Sequence, residues 1–244
     1  MTLENTYDKI KSKFPNLELE PFEIVKSVNL HREFWKPKNV TTILLAESHV
    51  FTSIPDHDRI MHFGRFPKLE KCSQNYVRLV YCLGYGESLL TNVNNNRGTP
   101  QFWKIFASCV NSNVLQESKG ILHSTTSNFY KRINNKIRLL EKLKEKGIWL
   151  VDASIVALYQ DKIKPPKEMM EKILQISWNE YISELITNEN PEKIIVIGKG
   201  VANTLEFELK ETKIPYYVQK QPQGIRSKNE LKESFEKYFQ LCNE

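Results

Sequence analysis

Four short apolar segments run directly into residues that can do chemistry. Residues 40–46 are followed by Glu47, Ser48 and His49, and residues 148–151 by Asp152, Ala153 and Ser154. Residues 193–197 lead into Gly198, Lys199 and Gly200, and residues 215–218 into Gln219, Lys220, Gln221, Pro222, Gln223, Gly224, Ile225 and Arg226. A carboxylate such as Glu47 can orient water or support positive charge, a contribution of order 10²–10⁴ in rate when it acts as a general base. Its bland alternative is a cap on the following turn. Backbone N–H groups at Gly198-Lys199-Gly200 could hold a phosphate. Lys220, Arg226 and Lys228 could grip further phosphates. The stretch lacks the upstream Gly and the Ser/Thr of a Walker loop.

Metal chemistry is not expected. His49, His57 and His62 lie near Asp56 and Asp58, but they form no helical H-x-x-x-H pair. Cys72, Cys82, Cys109 and Cys242 are scattered, without zinc or iron–sulfur spacing. No cofactor is expected either.

The elements that must position these residues follow from periodicity. The four apolar segments are short and rich in β-branched or aromatic residues, as strands covered on both faces should be. Between them lie helical patterns. Residues 128–146 place Ile133, Ile137, Leu140 and Leu143 on one face and stop before Gly147. Residues 168–187 form a second amphipathic helix, and residues 228–241 close the chain. Strands alternating with helices predict an α/β fold, a three-layer α/β/α sandwich with a mostly parallel central sheet. Ligands in such sheets bind beyond the carboxyl ends of the strands, where the four polar tracts would converge. Residues 1–38 read as an N-terminal helical extension and residues 39–244 as the α/β domain. The tract 92–96 reads as a loop.

Composition bounds the partner. The chain has 244 residues, 40% of them hydrophobic, with a formal net charge of +6 and a pI of about 9.0. A sizeable core is therefore available, and a basic surface favours a polyanion such as nucleic acid, although a solvated Lys/Glu surface gives the same balance. No apolar run approaches the ~20 residues that span a bilayer, and the first residues lack an apolar signal region. The expectation is a reducing, cytoplasmic setting, no membrane partner and a monomer.

Five segments, in order, resemble the uracil-DNA glycosylase superfamily over roughly residues 38–241. ILLAESHV resembles the family's first motif, which appears as G-Q-D-P-Y or G-E-A-P-G. TPQFWKIF is similar to a segment near P-x-F-W-K-I-L. KGIWLVDASIVALY is similar to K-G-V-L-L-L-N-T-x-L-T-V. KIIVIGKGVANTL looks like the strand and W-G-x-x-A-Q turn, and VQKQPQGIR falls where the family has A-H-P-S-P-L-S. The resemblance implies a monofunctional DNA glycosylase that everts a base and hydrolyses its N-glycosidic bond. A catalytically inactive DNA- or nucleotide-binding relative is the alternative, and a small-molecule hydrolase on a similar sheet is a third reading.

The resemblance also assigns roles. Glu47 matches the Glu of the G-E-A-P-G form and becomes the catalytic carboxylate. His49 departs from the family, replacing that motif's Pro, and its place next to Glu47 would let it contact the sugar or a phosphate. Ser48 stands where the uracil-specific branch has its water-activating Asp, and Gln221 where many members have His. Gln221 could donate to a base oxygen. Asp152 occupies the position of the base-reading Asn. An ionised carboxylate only accepts; it would repel uracil O4 but accept from the cytosine N4 amine. The expected substrate is therefore a cytosine-type or modified base, with guanine or hypoxanthine N1–H as a second possibility. The bland alternative is an Asp capping a helix that begins at Ser154. Phe102 is the candidate base stacker, with the core as its other fate. Ile225 matches the family's wedge, and 220–226 the DNA-insertion loop. Lesion repair is the default role, and defence against DNA carrying modified cytosines is the second.

Overall fold

A computed structural model describes residues 1–160, 165–225 and 227–244. Strands β1 (Thr42–Ala46), β2 (Ile148–Asp152), β3 (Lys193–Ile197) and β4 (Tyr216–Gln219) form one sheet in the order β2-β1-β3-β4, with every neighbouring pair parallel. Every residue of β1 and β2 is buried, and β3 is buried from Ile194 onward. Such runs suit a parallel sheet flanked by helices, since crossover helices cover its faces.

β4 departs from the expectation of a strand covered on both faces. It is an edge strand, paired only with β3, and Tyr217 and Val218 are exposed. Edge position alone does not explain this, since β2 is the opposite edge and is buried throughout. Tyr217 and Val218 point to opposite faces, so neither face of β4 is fully covered, which a local apolar run does not reveal.

The flanking helices are α1 (Leu3–Lys13), α2 (Phe22–Phe34), α3 (Pro100–Val110), α4 (Phe129–Glu145), α5 (Lys167–Ser177), α6 (Ser183–Glu189), α7 (Lys199–Thr204), α8 (Glu206–Glu211) and α9 (Lys228–Asn243). The Asn128 side chain caps α4 by accepting from the Lys131 N–H at 2.9 Å. Beyond its C-terminus Gly147 adopts φ +72°, and a Cβ there would lie 2.8 Å from the Asn39 carbonyl oxygen. That close turn lets the Gly147 carbonyl accept from the N–H groups of Thr41 and Thr42 and starts β1 and β2 side by side. α5 continues through a π-helical turn, Trp178–Ile182, into α6, which together match the single amphipathic helix expected there.

The first 38 residues pack against the main core. Tyr7, Ile10, Ile24, Val25 and Val28 join the same buried cluster as β1 and β2. Residues 52–98 carry little regular structure, yet Met61, Phe66, Leu69, Tyr76, Tyr81 and Cys82 are buried in that cluster too. Asn96 pins this segment: its Oδ1 accepts from the Gly86 N–H at 2.6 Å and the Tyr76 hydroxyl at 2.9 Å, and its Nδ2 donates to the Gly84 carbonyl.

Candidate functional site

Strand register brings the polar tracts to one rim. Ala46 pairs with Asp152, and Ile197 with Gln219. The ladder continues past the strands, with Ala153 N–H donating to the Ala46 carbonyl at 2.7 Å and Ser154 N–H to the Glu47 carbonyl at 3.0 Å. On the other side Gly198 N–H donates to the Gln219 carbonyl at 2.8 Å. No helix begins at Ser154, so Asp152 caps none. Instead the segment after β2 runs beside the end of β1, with Leu158 N–H donating to Ser48 Oγ and the Tyr159 hydroxyl to Glu47.

A cleft of about 400 Å³ opens at this rim. Glu47 enters it from the end of β1 and Tyr159 from the segment after β2. Gly198, Lys199, Gly200 and Val201 line it after β3, and Lys220, Gln221 and Gly224 after β4. The Tyr159 hydroxyl donates to Glu47 Oε2 at 2.8 Å. Burial and the Glu47 carboxylate raise the Tyr159 phenol well above its ordinary range, so it remains a donor. Gly198 adopts φ +111°, and its missing side chain leaves the space that the Gln221 side chain covers. A Cβ there would sit 3.2 Å from Gln221 Nε2.

Beneath the rim lies a second, buried set of groups. His49 is flanked by two acids: its Nε2 bonds to Glu20 Oε1, and its Nδ1 stands 3.7 Å from Asp152 Oδ2. The second distance is an ion-pair contact rather than a hydrogen bond. Arg32 Nη2 reaches the same Asp152 oxygen at 3.4 Å. All four residues are essentially buried. Burial disfavours a charged imidazole, but the Glu20 and Asp152 carboxylates outweigh it and hold His49 up at about 9. The imidazolium and guanidinium then balance the two carboxylates. Glu20 also accepts from the backbone N–H groups of Thr52 and Ala157, each at 3.3 Å, and so ties the loops after β1 and β2 together.

The expected site residues therefore divide. Glu47, Gly198, Lys199, Gly200, Lys220, Gln221 and Gly224 share the cleft. Asp152 and His49 do not line it; they lie in the buried ion network. Ser48 is half-buried, and its Oγ accepts from the Leu158 N–H at 3.4 Å. Phe102 sits half-buried in the first turn of α3, against the core. Pro222 is buried in the 3-10 turn Pro222–Gly224, and Ile225 is half-buried just after it. Arg226 and the side chain of Gln223 lie outside the described residues.

Sequence reading missed Glu20, Arg32 and Tyr159. Glu20 and Arg32 come from the N-terminal segment, and nothing local marks a buried charge. Tyr159 was signalled only by lying within the 147–160 segment that carries Asp152.

The residues weighed as a metal cluster are engaged elsewhere. His57 Nε2 meets Ser27 Oγ at 2.9 Å, and Asp56 pairs with Arg78 at 2.9 Å. Among the described residues, no group of three His, Cys, Asp or Glu is placed to hold a metal ion, and no helix is long and apolar enough to cross a membrane.

No protein-family model, no curated protein and no solved structure matches the chain.

Proposed function

We propose that this chain is a monofunctional DNA glycosylase of the uracil-DNA glycosylase type, built as a three-layer α/β/α sandwich and acting as a monomer on DNA. The observation that carries the reading is Glu47, which faces the Gln221 loop across a strand-end cleft and is oriented by the Tyr159 hydroxyl. Hydrolysis of a glycosidic bond builds positive charge on the sugar and negative charge on the departing base. Glu47 answers the first need by orienting water and supporting the sugar. Gln221 can donate its amide N–H to a base oxygen. Lys199 offers a cation to a flanking phosphate, and Lys220 does so by exchanging its ion pair with Glu230 for one.

Asp152 is assigned a cytosine-type or modified base. Its position at the end of β2 and its acceptor-only chemistry support this preference. Its ion-pair contacts with Arg32 and His49 mean that base selection there requires the buried network to open toward the cleft. The preference is therefore a separate claim from excision, and the two are tested separately.

The experiment is an incubation panel. Single- and double-stranded oligonucleotides carrying uracil, hypoxanthine, cytosine or substituted cytosines are scored for abasic sites. Abasic product from one base, lost in E47Q, supports the reading. Salt-sensitive binding without product would instead favour the catalytically silent relative.

A further inference from the structure

A second cavity, of about 180 Å³, lies where residues 84–99 meet the start of α3 and the flank of α4. Behind its wall sits a buried cluster of unbalanced charge. Glu87 is fully buried, with Arg132 gripping both its oxygens at 2.8–3.2 Å and Lys136 Nζ bonding Oε1 at 2.7 Å. Arg132 and Lys136 are themselves nearly inaccessible, at 4% and 3% exposure. Two buried basic side chains thus face one carboxylate, and burial pulls the Lys136 ammonium below its ordinary range despite Glu87, so its charged form is not fully compensated. A net positive charge held out of water is costly unless an anion compensates it.

Lys136 is the member of this cluster that lines the cavity, with its ammonium 5.1 Å over the Trp103 ring. Arg97 stands exposed at the rim, and among the described residues its guanidinium makes no ion pair. The Thr99 hydroxyl oxygen is buried without a hydrogen-bond partner, although its residue lines the cavity and stands at the N-cap of α3. A buried polar atom left unpaired costs free energy. Ser124 and His123 supply further polar groups at the wall. Among the described residues no carboxylate lines the space.

The wall is also closely built. Gly86 and Gly98, at φ +89° and +66°, pass so near each other that a Cβ on Gly98 would lie 3.0 Å from the Gly86 Cα. This approach holds Arg97 and Thr99 beside Tyr85 and Gly86.

We propose that this cavity is a phosphate-binding site, in which Lys136 and Arg97 hold the oxyanion and the Thr99 hydroxyl donates to it. The volume is below the roughly 300–1,000 Å³ of pockets for drug-sized ligands and suits a compact oxyanion. The occupant is inorganic phosphate, a small phosphate ester, or the terminal phosphate of a nucleic-acid strand. The cavity shares no lining residue with the Glu47 cleft, and its occupancy is read without catalysis, so this reading and base excision fail separately.

The test is calorimetric titration of the full chain with inorganic phosphate, against chloride at matched ionic strength. Saturable phosphate binding is expected. R97A, an exposed change that spares the fold, and T99V, which keeps the side-chain shape, should each weaken it by about tenfold. Heats no larger than those of chloride, or unchanged affinity in both variants, would overturn the site. Competition by 5′-phosphorylated against 5′-hydroxyl oligonucleotides then identifies the source. Displacement of phosphate only by the phosphorylated strand assigns a nucleic-acid end, and displacement by neither assigns a free phosphate or small ester; both results keep the site.

Discussion

The Tyr159 hydroxyl donates to Glu47 Oε2 at 2.8 Å, joining the segment after β2 to the acid at the end of β1. This contact fixes one carboxylate oxygen and leaves the other for chemistry in the cleft. Y159F should therefore slow single-turnover excision by roughly tenfold, the value of one hydrogen bond to a charged group, with little change in DNA affinity. Excision at the wild-type rate would show that Glu47 needs no such restraint.

The Glu20–His49–Asp152–Arg32 network predicts a stability cost rather than a surface effect. R32M leaves Asp152 buried with one cation fewer, and removing one partner of a buried pair costs about 3–5 kcal/mol. Urea unfolding measures this directly. A loss under about 1 kcal/mol, the range of an exposed pair, would mean that water reaches the network.

The pH dependence of stability follows from two histidines with opposite shifts. His49 is held up at about 9 against an ordinary 6.5, so its contribution is complete below 6.5 and is lost as pH rises through 9. His31 is pushed down to about 4, chiefly by burial, so its contribution is complete above 6.5 and is lost as pH falls toward 4. Its Nε2 meets the Asn75 carbonyl oxygen at 2.9 Å, as the neutral donor tautomer would. From these two groups, denaturation midpoints should peak near neutral pH and fall on both sides. A midpoint still rising at about pH 9 would contradict a charged His49 in the folded chain.

Gly198 marks where backbone geometry shapes the cleft. Its φ of +111° is strained for any other residue, and a Cβ would press on the Gln221 side chain. G198A should cost about 1–3 kcal/mol in stability and displace Gln221. Unfolding midpoints check the first effect, and excision kinetics the second.

The sheet was legible because its signals are local. Buried β-branched runs at β1, β2 and β3, and the spacing of Ile133, Ile137, Leu140 and Leu143 before Gly147, each lie within one element. The convergence of Glu47, Gly198 and Gln221 followed from a parallel sheet having a single C-terminal rim. What stayed hidden depends on distant pairs. Glu20 reaches His49 across 29 residues, Arg32 reaches Asp152 across 120, and Tyr159 reaches Glu47 across 112. The Glu87 cluster joins a segment without periodicity to α4, and no pattern in residues 52–98 announces a buried acid. Asp152 is the instructive residue. Its type and order suggested a group open to a ligand, whereas Arg32 and His49 make it part of a closed ion network.

Base excision by Glu47 is tested most directly by counting abasic sites in the oligonucleotide panel for wild type and E47Q side by side. Wild type should release at least one base, a cytosine-type or modified base before plain uracil, and E47Q should reduce that release by about 10²-fold or more. Intact DNA from every oligonucleotide with the wild-type protein, or equal release by E47Q, would contradict it.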